Sequence, residues 1–174
     1  MELEQKSNRS IRKTLPMKIV ISPFSNLKAM KDGKPHAKNY PHWQPLIKSL
    51  KLHHEIIQIG ISGESILTHD YRFDLKMSEL EELIKNEMDL FISVDNFFPH
   101  MVNSCYEKYN KTGIVIFSRS NPEIFGYPQH INLLKSKEYL RRDQFIFWDQ
   151  CEYIEEAFVS PAEIIKEVSK FNQN

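Results

Sequence analysis

Leu90-Phe91-Ile92-Ser93-Val94-Asp95-Asn96-Phe97-Phe98-Pro99-His100 is the stretch from which the fold of this 174-residue chain can be read. Five residues of mostly apolar character stop at a carboxylate, and a His follows five positions later. A short apolar run bounded in this way reads as a strand buried on both faces that delivers polar groups at its C-terminal end. In open α/β sheets that end is where ligands bind.

Similar runs lie on both sides. Lys18-Ile19-Val20-Ile21-Ser22 is β-branched and stopped by Pro23, Glu55-Ile56-Ile57-Gln58-Ile59-Gly60 runs into a Gly-containing turn, and Gly113-Ile114-Val115-Ile116-Phe117 is apolar throughout. Tyr71 to Lys76 alternates weakly, and His130–Leu134 and Gln144–Trp148 suit short edge strands. Between them lie helical patterns. Trp43, Leu46, Ile47 and Leu50 repeat at i, i+3, i+4 and i+7, with Pro45 tolerable in the first turn. Ser78 and Glu81 match a capping box that would open a helix through Leu80, Leu83 and Ile84. A three-turn helix is expected through Met101, Val102, Cys105 and Tyr109. Ser160-Pro161-Ala162-Glu163 combines an N-cap, a first-turn proline and a capping-box Glu ahead of Ile164, Ile165, Val168 and Phe171.

Strands apolar on both faces, alternating with amphipathic helices, predict one α/β domain with a mostly parallel, Rossmann-like sheet covered by helices on both faces. Residues 1–16 read as a flexible basic arm and 17–174 as the domain. The loops after the main strands would gather Ser22, Ser25 and Lys38; Gly60, Gly63 and Glu64; Asp95, Asn96 and His100; and Ser118, Ser120 and Asn121 along one edge.

Composition bounds the function. The chain has zero formal net charge, yet residues 1–54 carry 11 Lys/Arg against 3 Asp/Glu, so the rest carries −8. A basic N-terminal third attracts phosphates or is a solvated face. Cys105 and Cys151 are isolated, and no run approaches the roughly 18 apolar residues of a membrane span. A cytoplasmic protein without disulfides is expected. His36, His42, His53, His54 and His69 lack carboxylate or Cys partners at ligand spacing, so neither a metal nor a cofactor is expected. Sequences of the HExxH, Walker A and GxSxG kinds do not occur, and the basic arm has no nucleic-acid-binding motif beside it.

Taken in order, "ISPFS…KNYPHWQPLIKSL", "IIQIGISGES", "LEELIKNEMDLFISVDNFFPH", "IVIFSRSNPEIFGYP" and "VSPAEIIKEV" resemble the nucleotide-sugar-binding half of glycosyltransferase family 9, the lipopolysaccharide heptosyltransferases. The resemblance spans about residues 17 to 171. It implies the second of the two Rossmann-like domains of a GT-B enzyme, with a nucleotide-diphosphate sugar as ligand and glycosyl transfer to an acceptor hydroxyl as reaction. The acceptor surface and the base are then expected from a partner subunit or a second copy.

By matched position, the resemblance implies Ser22 and Ser25 near the donor phosphates and Lys38 as the lysine that neutralises the diphosphate. It implies Glu64 near the ribose, in the turn after Gly60, and Asp95 and His100 at the ends of an Asp-Ser/Thr-Gly-x-x-His pattern. Asn96 and Phe97 stand where that pattern has Ser/Thr and Gly. Ser120 lies on the same expected edge. The alternative left open is a non-catalytic binding or structural module whose donor loop has degenerated at Phe97. For Asp95 the competing role is a cap for the following helix. For Trp43, Phe97 and Phe98 a base-stacking wall competes with ordinary core packing.

Overall fold

The computed structural model describes residues 16–26, 33–145 and 151–171. The expected N-terminal arm and most of the expected strand Gln144–Trp148 lie outside the described residues. Six strands form one parallel sheet: β1 Lys18–Ser22, β2 Glu55–Gly60, β3 Asp70–Phe73, β4 Leu90–Val94, β5 Gly113–Phe117 and β6 Ile131–Leu134. Their order is β3-β2-β1-β4-β5-β6. The chain runs outward from β1 through β2 to β3, then returns to the other side of β1 to start β4. The sheet is therefore a Rossmann-like one whose order reverses between β1 and β4, and a crevice opens above that reversal.

Helices cover both faces: α1 Trp43–Leu50, α2 Met77–Asn86, α3 Phe97–Ser104, α4 Tyr106–Tyr109, α5 Pro122–Phe125 and α6 Pro161–Phe171. Because side chains alternate along a strand, each buried strand feeds two cores. Ile19, Ile21, Leu90, Ile92, Val94, Ile114 and Ile116 pack with Trp43, Leu46, Leu50, Phe158, Ile164 and Val168. Val20, Ile57, Ile59, Phe91, Val115 and Phe117 pack on the opposite face with Leu83, Ile84, Phe98, Met101 and Val102. Burial on both faces is why these strands read as unbroken apolar runs.

The helices differ from the sequence reading at three places. Helix α2 begins at Met77, and only half of a capping box forms there, with the Glu79 carboxylate accepting from the Lys76 backbone N–H at 2.7 Å. The Ser78–Glu81 match is thus two residues too late, and Glu81 instead accepts from the Tyr109 hydroxyl at 2.8 Å. The expected three-turn helix breaks at Cys105 into α3 and α4. Helix α5 was not anticipated, although Asn121-Pro122 carries its cap and first-turn proline. At α6 the box forms as read, with Ser160 N–H donating to Glu163 Oε2 at 2.8 Å.

Candidate functional site

Register brings the site together. Ser22 at the end of β1 pairs with Ser93 near the end of β4, so the loops after these strands emerge side by side. Asn96 spans the gap. Its Nδ2 donates to Ser22 Oγ at 2.8 Å and to the Phe24 carbonyl at 2.9 Å, while its Oδ1 accepts from the Phe98 N–H at 2.9 Å and from Ser93 Oγ at 3.0 Å. Asn96, not Asp95, caps α3. That settles the competing role of Asp95: as the buried residue before the cap, it faces a lysine instead.

The structure sorts the nine candidates into three groups. Ser22, Ser25, Gly60, Glu64 and Asn96 line a cavity of about 300 Å³ over the carboxyl ends of β1 and β2, with Phe24, Ile59, Ile61, Arg72, Asp74, Met77, Phe97 and Phe98 among its other walls. Its lining is mainly apolar, and Ile61, Met77 and Phe97 are exposed. Glu64 is the unusual member. One carboxylate oxygen is buried with no hydrogen-bond partner, and the group packs so closely on Gly60 that a methyl there would overlap it. Burial pushes the Glu64 carboxyl up to about 7, opposed by a backbone hydrogen bond from Ile61 and reinforced by Asp74.

Lys38, Asp95 and Ser120 form the second group, over β4 and β5. Lys38 Nζ lies 2.7 Å from Asp95 Oδ2, with side chains only 17% and 7% exposed, and Ser120 Oγ donates to the same oxygen at 2.7 Å. Ser118 Oγ donates to the Ala37 carbonyl at 2.7 Å, which ties the loop that carries Lys38 to the end of β5. An ion pair this buried is kept by its added hydrogen bonds, because desolvation otherwise cancels the attraction.

His36, dismissed in the sequence as a metal ligand, joins the two groups. Its Nδ1 meets Ser25 Oγ at 2.8 Å and accepts from the Lys38 backbone N–H at 3.3 Å. Burial holds the imidazole below its ordinary value, Lys38 lowers it further and Asp95 acts in opposition. A neutral ring with Nδ1 as acceptor fits both contacts. Polar contacts thus run from the cavity wall at Ser25 through His36 to the segment that bears Lys38. The neighbouring Asn39 accepts from the Ser25 N–H at 2.9 Å.

His100 forms a third group by itself. It is exposed on α3, with Nδ1 at 2.7 Å from the Tyr127 hydroxyl, and lines neither the cavity nor the ion pair. Trp43 and Phe98 are core residues at 3% and 2% exposure, whereas Phe97 is 58% exposed at the cavity. Gln58, passed over in the sequence, is fully buried in β2 and fastens the loop over the cavity by donating to the Ser65 carbonyl at 2.8 Å and accepting from Leu67 N–H at 2.7 Å. A lone amide in an apolar strand was its signal.

Among the described residues no group of three or more His, Cys, Asp or Glu is arranged to hold a metal ion. No helix among them is long and apolar enough to cross a membrane. Fold and edge together define the class: a parallel α/β domain with a cavity and an adjoining buried ion pair at the carboxyl edge of its sheet. Comparison with protein-family models, curated proteins and solved structures yields no match.

Proposed function

We propose that this chain is a glycosyltransferase-like protein, of the family 9 kind its motifs resemble, that binds a nucleotide-diphosphate sugar at the carboxyl edge of the sheet. In the reaction, the bond between the anomeric carbon and the diphosphate oxygen breaks as an acceptor hydroxyl forms the new glycosidic bond and gives its proton to a base. The acceptor surface and that base come from a partner subunit or a second copy. The proposal carries a cytoplasmic location with it.

One observation supports this reading above the others. A cavity lined by Glu64, one of whose carboxylate oxygens is buried without a hydrogen-bond partner, lies over the point where strand order reverses, and polar contacts connect it to the segment that bears Lys38. A ribose offers two adjacent hydroxyls to the Glu64 carboxylate while its base meets the apolar wall. Lys38 then meets the diphosphate, exchanging part of its contact with Asp95 for phosphate oxygens, where it stabilises the departing charge. Isothermal titration of the purified chain with nucleotide-diphosphate sugars is expected to give saturable heat. No binding across a panel of bases and sugars sinks the reading.

A second reading, a non-catalytic module, is favoured by two particulars. The Asn96 amide is used up within the protein, and the exposed Phe97 ring stands where a diphosphate would need backbone N–H groups at close range. Phe97→Gly separates the two: a large gain in nucleotide affinity marks a decayed site, and unchanged tight binding marks a working one.

A further inference from the structure

Arg119 follows β5 and sits between the two serines that fasten this edge, Ser118 on Ala37 and Ser120 on Asp95. Its backbone is held firmly, with its carbonyl accepting from the Arg141 N–H at 3.0 Å and from Gln144 Nε2 at 3.4 Å. Its side chain is not matched in the same way. Nε is buried with no acceptor, and Nη1 reaches only the Glu152 carbonyl, at a long 3.4 Å. None of the ion pairs among the described residues gives Arg119 a carboxylate.

The surroundings carry both signs. The buried Arg141 is held below its ordinary value by burial first and by the Arg119 charge, against Cys151, Asp143 and Asp95, which act the other way. Arg119, Arg141 and Lys38 all act on the buried Cys151 thiol, which burial nevertheless raises. A guanidinium offers five donors in a planar fork that suits phosphate oxygens, and leaving a buried donor without an acceptor beside a like charge is unfavourable. Such a group is explained when a ligand completes it.

We propose that Arg119 is an oxyanion-binding residue at the β5 end of the edge, holding a phosphate-class group through its Nε and Nη donors. The bound anion supplies the acceptor that the Arg119 Nε lacks, beside the Arg141 charge, and the next residue, Ser120, holds Asp95. This deepens the functional reading above by assigning the anionic end of the ligand to β4–β5 and its uncharged end to the β1–β2 cavity. It rests on that reading for the identity of the ligand but not for the presence of an anion.

The test uses the full chain and inorganic diphosphate as probe, titrated by calorimetry at low salt and again at 0.5 M NaCl. Wild type is expected to bind, Arg119→Gln to lose roughly tenfold or more in affinity, and Arg119→Lys to fall between them. The Arg119 Nε–H resonance, followed by NMR in the wild type, is expected to shift with added diphosphate, a readout that survives if a variant fails to fold. Absence of diphosphate binding to wild type, an unmoved Nε–H signal, or equal affinity in folded Arg119→Gln overturns the assignment. Parallel titration with a nucleotide-diphosphate sugar separates the two ideas. Diphosphate binding that depends on Arg119 without nucleotide-sugar binding keeps the anion site and sinks the transferase reading. Nucleotide-sugar binding that ignores Arg119 does the reverse.

Discussion

The two sides of the sheet's carboxyl edge are built on different principles. Over β4 and β5, Asp95 is matched by Lys38 and Ser120 at 2.7 Å each, and the surrounding loops are tied down by Ser118 and Asn96. Over β1 and β2, the Glu64 carboxylate is pressed against Gly60 with one oxygen unpartnered, in a cavity walled mainly by apolar side chains. The Asp95 centre is wired as it stands, although Arg119 beside it keeps a buried Nε without an acceptor, whereas the Glu64 side leaves a carboxylate oxygen without a donor. A carboxylate is therefore structural or available according to its neighbours, and the sequence spacing of the two acids does not distinguish them.

Breaking the wired half should cost most. Asp95→Ala removes the carboxylate shared by Lys38 and Ser120, and a loss of roughly 3 kcal/mol in unfolding free energy is expected by urea denaturation, since removing one member of a buried pair strands the other. A change below about 0.5 kcal/mol would show that the pair is no better than a surface one.

Glu64 should respond in the opposite sense. Its folded-state value, near 7, is raised above the ordinary 4.5. The folded chain therefore holds this proton more tightly than the unfolded chain. The associated stability is fully present below about pH 4.5, is lost as pH rises toward 7 and stays lost above it. Glu64→Gln removes the loss and is expected to gain on the order of 1 kcal/mol at pH 8, a figure reduced for the group's partial exposure, with little gain at pH 5. Thermal denaturation at the two pH values measures it, and an equal effect at both contradicts the assignment.

Smaller effects sharpen the contrast. Gly60→Ala places a methyl on the Glu64 carboxylate. Because that carboxylate ends a flexible side chain it can swing away, so a stability cost of about 1 kcal/mol or less is expected together with weaker nucleotide binding. A stability loss of several kcal/mol would mean that Glu64 is fixed. Phe97→Ala, at an exposed position, is expected to change stability by less than about 0.5 kcal/mol in the same denaturation assay.

Much of this architecture was legible in the sequence, because burial on both faces leaves strands such as Ile19–Ile21 and Ile114–Ile116 apolar without interruption. Helix α1 was legible from its four buried positions, Trp43, Leu46, Ile47 and Leu50. What failed was local chemistry with more than one solution. Both Ser78–Glu81 and Lys76–Glu79 have the three-residue spacing of a capping box, and only the fold selects the earlier start. Asp95 and Asn96 can each cap a helix, and the choice falls to Asn96 because the Lys38 loop, 57 positions away in the chain, supplies a partner to Asp95. Long-range contacts of this kind have no sequence period. The contacts of His36 with Ser25 and of Arg119 with Glu152 had no signal for that reason, and His100, which the resemblance named, meets Tyr127 from α3.

The most direct test of the central claim is a crystal structure of the full chain saturated with a nucleotide-diphosphate sugar. The account predicts density for the nucleoside against Gly60 and Glu64 and for the diphosphate within reach of Lys38. A ligand bound away from the β1–β4 reversal, with the Glu64 cavity unfilled, would contradict it.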